Sequence, residues 1–297
     1  MYFYLEWTDK RPSYVELLKE RPENINFENS FKIKKQEYII CGNINSKFMN
    51  YYPPVKIIYK KNQYLLSHLQ KCIRRMDDVK SVQTAKHLVD LDCTSFLRRL
   101  PIIMLEDVTI HTCFPVIIWL MIAYSKGFSM KHEILKWLLG VVYHLSTCKD
   151  KTYYENKEIN EIEINTNNRI LNSLRFRKAY GGMKGDMNMI EYYTQLVYYD
   201  KIKLGEEKIP LVKITMEPLL KKDWIYQAND FHCNRSIIQQ INNYFPNYDK
   251  EYLKKLIWNF SSSQNNRIYI EKDKKQEEDW EKIQRVVKRV QKSCIYY

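Results

Sequence analysis

Glycine is scarce in this chain, with seven in 297 residues, and no GxxxxGK[ST] phosphate loop is present. A Walker-type nucleotide engine is therefore not expected. Prolines are few as well, nine in all, and with 45% hydrophobic residues the composition is globular. The seven cysteines, Cys41, Cys72, Cys93, Cys113, Cys148, Cys233 and Cys294, are odd in number, widely spaced and without a CxxC pair. Neither a disulfide framework nor a zinc module follows from that spacing, and buried reduced thiols are expected. The longest apolar run, Cys113 to Tyr124, is twelve residues, against the roughly 20 that span a bilayer. MYFYLEWTDKRP has no basic start followed by an apolar stretch, so no signal peptide is expected. These absences point to an intracellular chain, placed in the cytoplasm, the nucleus or a viral replication site, neither secreted nor bound to membrane.

What the chain has is positive charge and aromatic surface. Lys and Arg outnumber Asp and Glu by 48 to 35, a net +13, and aromatic residues make up 14%. A charge of that size concentrates polyanions whatever the fold, which makes nucleic acid, DNA or RNA, the first partner to consider. The abundance of Lys, Asn, Ile and Tyr is that of an AT-rich coding sequence.

The hydrophobic pattern predicts a mainly α protein, a multi-helix bundle with a small N-terminal β-containing segment. Residues 1–62 alternate and carry β-branched and aromatic residues, as in KIKKQEYIICGNI and PPVKIIYKK. From 63 to 147 the period becomes helical. Leu65, His68, Leu69, Cys72 and Ile73 form one stripe, Val79, Val82, Ala85, Leu88 and Val89 the next, and Phe96, Leu97, Leu100, Ile103 and Met104 a third. FPVIIWLMIAYSKGF and HEILKWLLGVVYHL are apolar enough to be the core. Residues 148–168 lose periodicity and are expected as a polar linker or surface loop. Residues 169–297 are assigned to a C-terminal helical part, with a short strand at IPLVKITM and helices at CNRSIIQQINNYF, DKEYLKKLIWNF and EEDWEKIQRVVKRVQKS.

Three constellations carry candidate chemistry. YGGMKGDM, 180–187, gathers three of the seven glycines around Lys184. It lacks the hydroxyl a phosphate loop needs for magnesium, and Asp186 is placed to cap a helix beginning at Met187, so a tight helix–turn–helix joint is favoured over phosphate contact by Arg177, Lys178 and Lys184. The second is residues 68–111, with Arg74–Arg75, Arg98–Arg99 and then Glu106–Asp107. Asp107 and His111 are four apart, but a single histidine beside carboxylates is common without an ion, and no metal or cofactor is expected. The third is KIQRVVKRVQK, where Ile283, Val286, Val287 and Val290 form a stripe and Lys282, Arg285, Lys288, Arg289 and Lys292 cover the rest.

KCIRR followed by Asp77, an alanine-containing helix, FLRRL and Glu106-Asp107-Val108 together resemble the helical C-terminal region of the clamp-loader-related ATPases that act in recombination at stalled replication forks. The resemblance covers about 45 residues. It implies an oligomerising assembly module and, with no P-loop upstream, not the ATPase. It adds homo-oligomerisation or a replication-protein partner to the expectations.

The resulting expectation is a non-enzymatic protein that binds nucleic acid through its phosphate backbone, in DNA replication, repair or a related process. The expected phosphate contacts are Arg74, Arg75, Arg98, Arg99, Arg175, Arg177, Lys178, Lys184, Arg285, Lys288 and Arg289. Two rivals remain: a scaffold whose basic face meets an acidic protein, and an enzyme with a site near Asp230 and His232.

Overall fold

In a computed structural model, the structure describes residues 1–53, 62–154, 168–205, 209–212, 235–268 and 273–294. The chain is mainly α, with nine α-helices among the described residues and a four-stranded sheet at the N-terminus. The strands are β1 (Tyr2–Trp7), β2 (Tyr14–Leu18), β3 (Phe27–Ile33) and β4 (Gln36–Ile44), in the order β2-β1-β4-β3. β1 runs antiparallel to β2 and parallel to β4, while β3 and β4 form a hairpin across Lys34-Lys35. Alternation places Phe3, Leu5, Trp7, Phe31, Ile33, Tyr38 and Ile40 in the interior.

Two helices form a hairpin: α1 (Asn62–Arg74) and α2 (Asp78–Asp107). α1 ends as a paired-hydrogen-bond αL turn, with Asp77 N–H donating to the Cys72 carbonyl at 2.9 Å, Met76 N–H to Ile73 at 3.1 Å, and Met76 at φ 60°. Asp77 then caps α2 by accepting from the Lys80 amide at 3.1 Å. α2 is two helices joined at Asp92, whose φ of −158° breaks the spiral. Asp92 also starts the second half, accepting from Ser95 N–H at 2.9 Å and Ser95 Oγ–H at 2.6 Å. Burial opposes ionisation of Asp92, but the bonds from Ser95 and Asn62 prevail and hold its pKa below the usual carboxylate value.

α3 (Phe114–Ser125) and α4 (His132–Thr147) each pack on α2, and Phe114 through Ala123 are buried without interruption. α3 is locked to the sheet by Trp119, whose indole Nε1–H lies 3.0 Å from both the Phe3 and Cys41 carbonyls, on adjacent strands. α5 (Arg169–Ala179) is capped by Asn168 and drives Phe176 into a ring cluster with Phe3, Phe31 and Tyr38, centroids 5.1 to 5.5 Å apart. α6 (Lys184–Tyr198) packs on α5, with Met189, Ile190 and Tyr193 inside.

One continuous apolar core runs from Phe3 to Ile209 and so includes the sheet and α1 to α6, with α5, α6 and Ile209 among them, which the sequence pattern groups with the C-terminal part. A second, smaller core is built by α7 (Arg235–Tyr244), α8 (Lys250–Ile257, continued by one π-helical turn, Trp258–Ser262) and α9 (Lys274–Cys294). Its interior is Ile237, Ile238, Ile241, Leu253, Leu256, Ile257, Phe260, Ile283, Val287 and Val290. Residues 148–154 are not detached from the body: Thr152 N–H donates to the Val108 carbonyl at 2.8 Å and the Thr152 and Thr109 hydroxyls are 2.7 Å apart. Most of PPVKIIYKK, the far half of IPLVKITM, and Asp230, His232 and Cys233 lie outside the described residues. Among the described residues, no helix is long and apolar enough to cross a membrane.

Candidate nucleic-acid interface

The arginines expected at phosphates divide into those the fold buries and those it leaves on the surface. Arg74, 5% exposed, occupies the junction of α1, the end of α2 and the C-terminal unit. Its Nε–H donates to Asp107 Oδ1 at 2.5 Å, one Nη to Glu106 Oε1 at 3.0 Å and the other to the Ser262 carbonyl at 3.0 Å. Burial acts against the charge of Arg74, yet Asp107 and Glu106 outweigh it and its pKa is raised. Gln70 donates to Asp107 at 3.0 Å, and Arg99 reaches Glu106 at 3.6 Å and Asp186 at 3.3 Å while also donating to Gln70. Arg75 donates to the Ser261 carbonyl at 2.9 Å. Arg74, Arg99, Glu106 and Asp107 thus meet one another, and a polyanion lying on the surface has no access to Arg74.

Arg177 is likewise interior, 3% exposed, and donates to the Gly181 carbonyl at 2.8 Å and the Arg98 carbonyl at 3.0 Å. Burial, followed by the neighbouring Arg98 charge, brings its pKa down to about 10. Its place in the turn corrects the expectation of a phosphate contact: this guanidinium closes the joint. Lys178 pairs with Glu191 at 2.5 Å, and Arg175 donates to the Tyr38 hydroxyl at 2.9 Å. Arg98 is exposed and donates to the Tyr180 carbonyl at 2.9 Å.

The glycine-rich stretch is the tight joint between α5 and α6. Gly181 sits at φ 70°, and its N–H donates to the Lys178 carbonyl at 2.9 Å. Asp186 is not the cap expected of it: α6 begins earlier, at Lys184 behind Met183, which leaves Asp186 in the first turn facing Arg99. A carboxylate there still favours the positive end of the helix. Lys184 stands exposed at the first helical position.

α9 keeps its basic residues outward. Ile283, Val287 and Val290 are buried at 0, 1 and 5% exposure, while Arg285, Lys288 and Arg289 on the other side are exposed. From Lys282 to Lys292 the sequence has five basic residues and no acidic one. None of Arg285, Lys288 and Arg289 has an ion-pair partner among the described residues, although Glu281 stands four residues before Arg285. Lys250, Lys254 and Lys255 are exposed on α8, and Tyr244 and Trp258 expose about half of their surface. Sequence alone did not single out those two aromatics among 24 tyrosines and six tryptophans. Asp279, by contrast, is tied down by the Tyr248 and Tyr252 hydroxyls at 2.7 and 2.9 Å.

Comparison with protein-family models, with curated proteins and with solved structures finds no match to this chain.

Proposed function

We propose that this chain is a nucleic-acid-binding protein that holds DNA or RNA by its phosphate backbone, in replication, repair or a related process, and that the outer face of the C-terminal three-helix unit makes the contact. The observation that carries this reading is the ridge of Arg285, Lys288 and Arg289, exposed above the buried Ile283, Val287 and Val290. Residues three and four apart on a helix are neighbours, about 5–6 Å between Cβ atoms, so the three cations form one continuous patch. Such a patch attracts phosphates without selecting bases. Exposed Trp258 and Tyr244 add ring faces on which unpaired bases stack. No step of bond-making is required of any residue in the unit.

Binding of mixed-sequence single-stranded and duplex DNA and RNA, titrated against salt, tests the reading. Affinity is expected to fall steeply with salt. Replacing Arg285, Lys288 and Arg289 together by Ala should weaken binding and remove about three contacts from the salt slope, with the melting temperature preserved, since alanine suits an exposed helix face. Unchanged affinity in the triple variant overturns the reading. Binding only to an acidic protein, through the same three residues, would favour a scaffold instead.

A further inference from the structure

Three donors from two parts of the chain meet near the carbonyl that Arg267 bonds at the end of α4. His111 lies in the turn between α2 and α3, while His144 and Cys148 lie four residues apart at the end of α4 and so share a face. They are 2, 4 and 5% exposed, and a ligand atom of each lies within 4.8 Å of one from each of the others. His144 Nε2 and His111 Nδ1 are 3.4 Å apart, with the rings perpendicular at 88°. Two imidazole nitrogens at zinc-bond length, about 2.0–2.1 Å from a tetrahedral ion, stand roughly 3.3 Å from each other. The other nitrogen, His111 Nε2, is buried without a hydrogen-bond partner among the described residues, which is uncommon for an interior polar atom. The place of His111 is fixed by Gly205, bridged to it through the backbone: a Cβ on Gly205 would fall 2.2 Å from Nδ1.

We propose that His111, His144 and Cys148 bind a divalent transition ion of the zinc class. Two imidazoles and a thiolate suit a borderline-to-soft ion and exclude magnesium and calcium, which take oxygen. The three supply three of four tetrahedral positions and leave the last to water or a small anion. On binding, the Cys148 thiol gives up its proton to solvent and the thiolate takes the metal. The ion would join the end of α4 to the α2–α3 turn, where Arg267 also donates to the Cys148 carbonyl at 2.8 Å.

Cobalt(II) is the probe for the chelator-treated full-length protein. One equivalent should produce a thiolate-to-cobalt charge-transfer band with the visible absorption of tetrahedral cobalt, zinc should abolish both, and excess zinc should raise the melting temperature. Cys148→Ser, which keeps the side-chain shape, should lose the charge-transfer band, and His144→Gln should weaken the binding. A wild-type protein without the band overturns the proposal, as does a folded Cys148→Ser protein that retains it. X-ray absorption on the zinc-loaded wild type needs no variant: a shell with two nitrogens and one sulfur from protein supports the site, and any other protein donor set overturns it.

Discussion

Arg74 carries a charge where a polyanion has no access, and its energetic role follows from its partners. The side chains of Arg74 and Asp107 are 6 and 3% exposed, so removing the guanidinium leaves Asp107 buried with, among the described residues, Gln70 alone to bond its side chain. Breaking such a pair from one side costs about 3–5 kcal/mol, whereas replacing both members with apolar groups of similar volume costs much less. Arg74→Met should therefore lower the free energy of urea unfolding by about 3–5 kcal/mol, and the double variant Arg74→Met with Asp107→Leu should recover part of it. A single variant within about 1 kcal/mol of wild type would show that the network is not desolvated in solution. The sequence displays Arg74, Arg75, Arg98 and Arg99 as two equal pairs of cations; only packing separates Arg74 from exposed Arg98. Charge is legible from residue identity, but the number of carboxylates and carbonyls that fold around it is not.

Helix periodicity made most elements legible, including the separate apolar stripes on either side of Asp92 and the tight joint at YGGMKGDM. Less legible was the exact start of α6, because Lys184, Gly185 and Asp186 each suit a first turn, and Met183 supplies no capping side chain. The pattern also could not assign α5 and α6 to the first core, since a basic helix announces its charged residues and not Phe176, which anchors it among Phe3, Phe31 and Tyr38. The joint itself separates two adjacent glycines. Gly181 is at φ 70°, where a side chain strains the backbone by about 1–2 kcal/mol. Gly182 has no positive φ, and an added methyl meets the mobile end of Met187 at 3.0 Å. Thermal unfolding should show Gly181→Ala destabilised by about that amount and Gly182→Ala nearly unchanged. Equal losses at both positions would contradict this geometry of the turn.

At the scale of the whole molecule, two cores are joined by side-chain donors on backbone oxygens, Arg74 and Arg75 from one side and Arg267 from the other. Arg267 donates to the Ile73 carbonyl at 2.8 Å and the Arg74 carbonyl at 3.3 Å, at the end of α1. It donates as well to the Leu145 carbonyl and to that of Cys148 at 2.8 Å, at the end of α4. Both helices present their negative ends there, so one guanidinium satisfies orphan acceptors of two helices at once. Asn265 Nδ2–H to the Asp107 carbonyl at 3.1 Å and Asn266 N–H to the Arg74 carbonyl at 3.1 Å complete the seam. No sequence pattern shows this: Arg267 lies in SSSQNNRIYI, a polar stretch between helices, nearly 200 residues from Ile73 and more than 100 from Leu145. A shorter separation, 33 residues, likewise conceals His111 from His144.

Because charged hydrogen bonds are worth about 1.5–3 kcal/mol each and this set is part-buried, Arg267→Ala should open the seam by on the order of 3 kcal/mol while leaving α3 and α4 packed on α2. Cleavage by thermolysin through that local opening should then rise by roughly a hundredfold within 258–268, since about 1.4 kcal/mol is a tenfold change in the open population. Arg267→Lys should fall between, as an ammonium cannot span carbonyls of two helices in one plane. If the Ala variant resists the protease as wild type does, the C-terminal unit is held by its remaining contacts, and Arg267 is no more than a cap on α1 and α4.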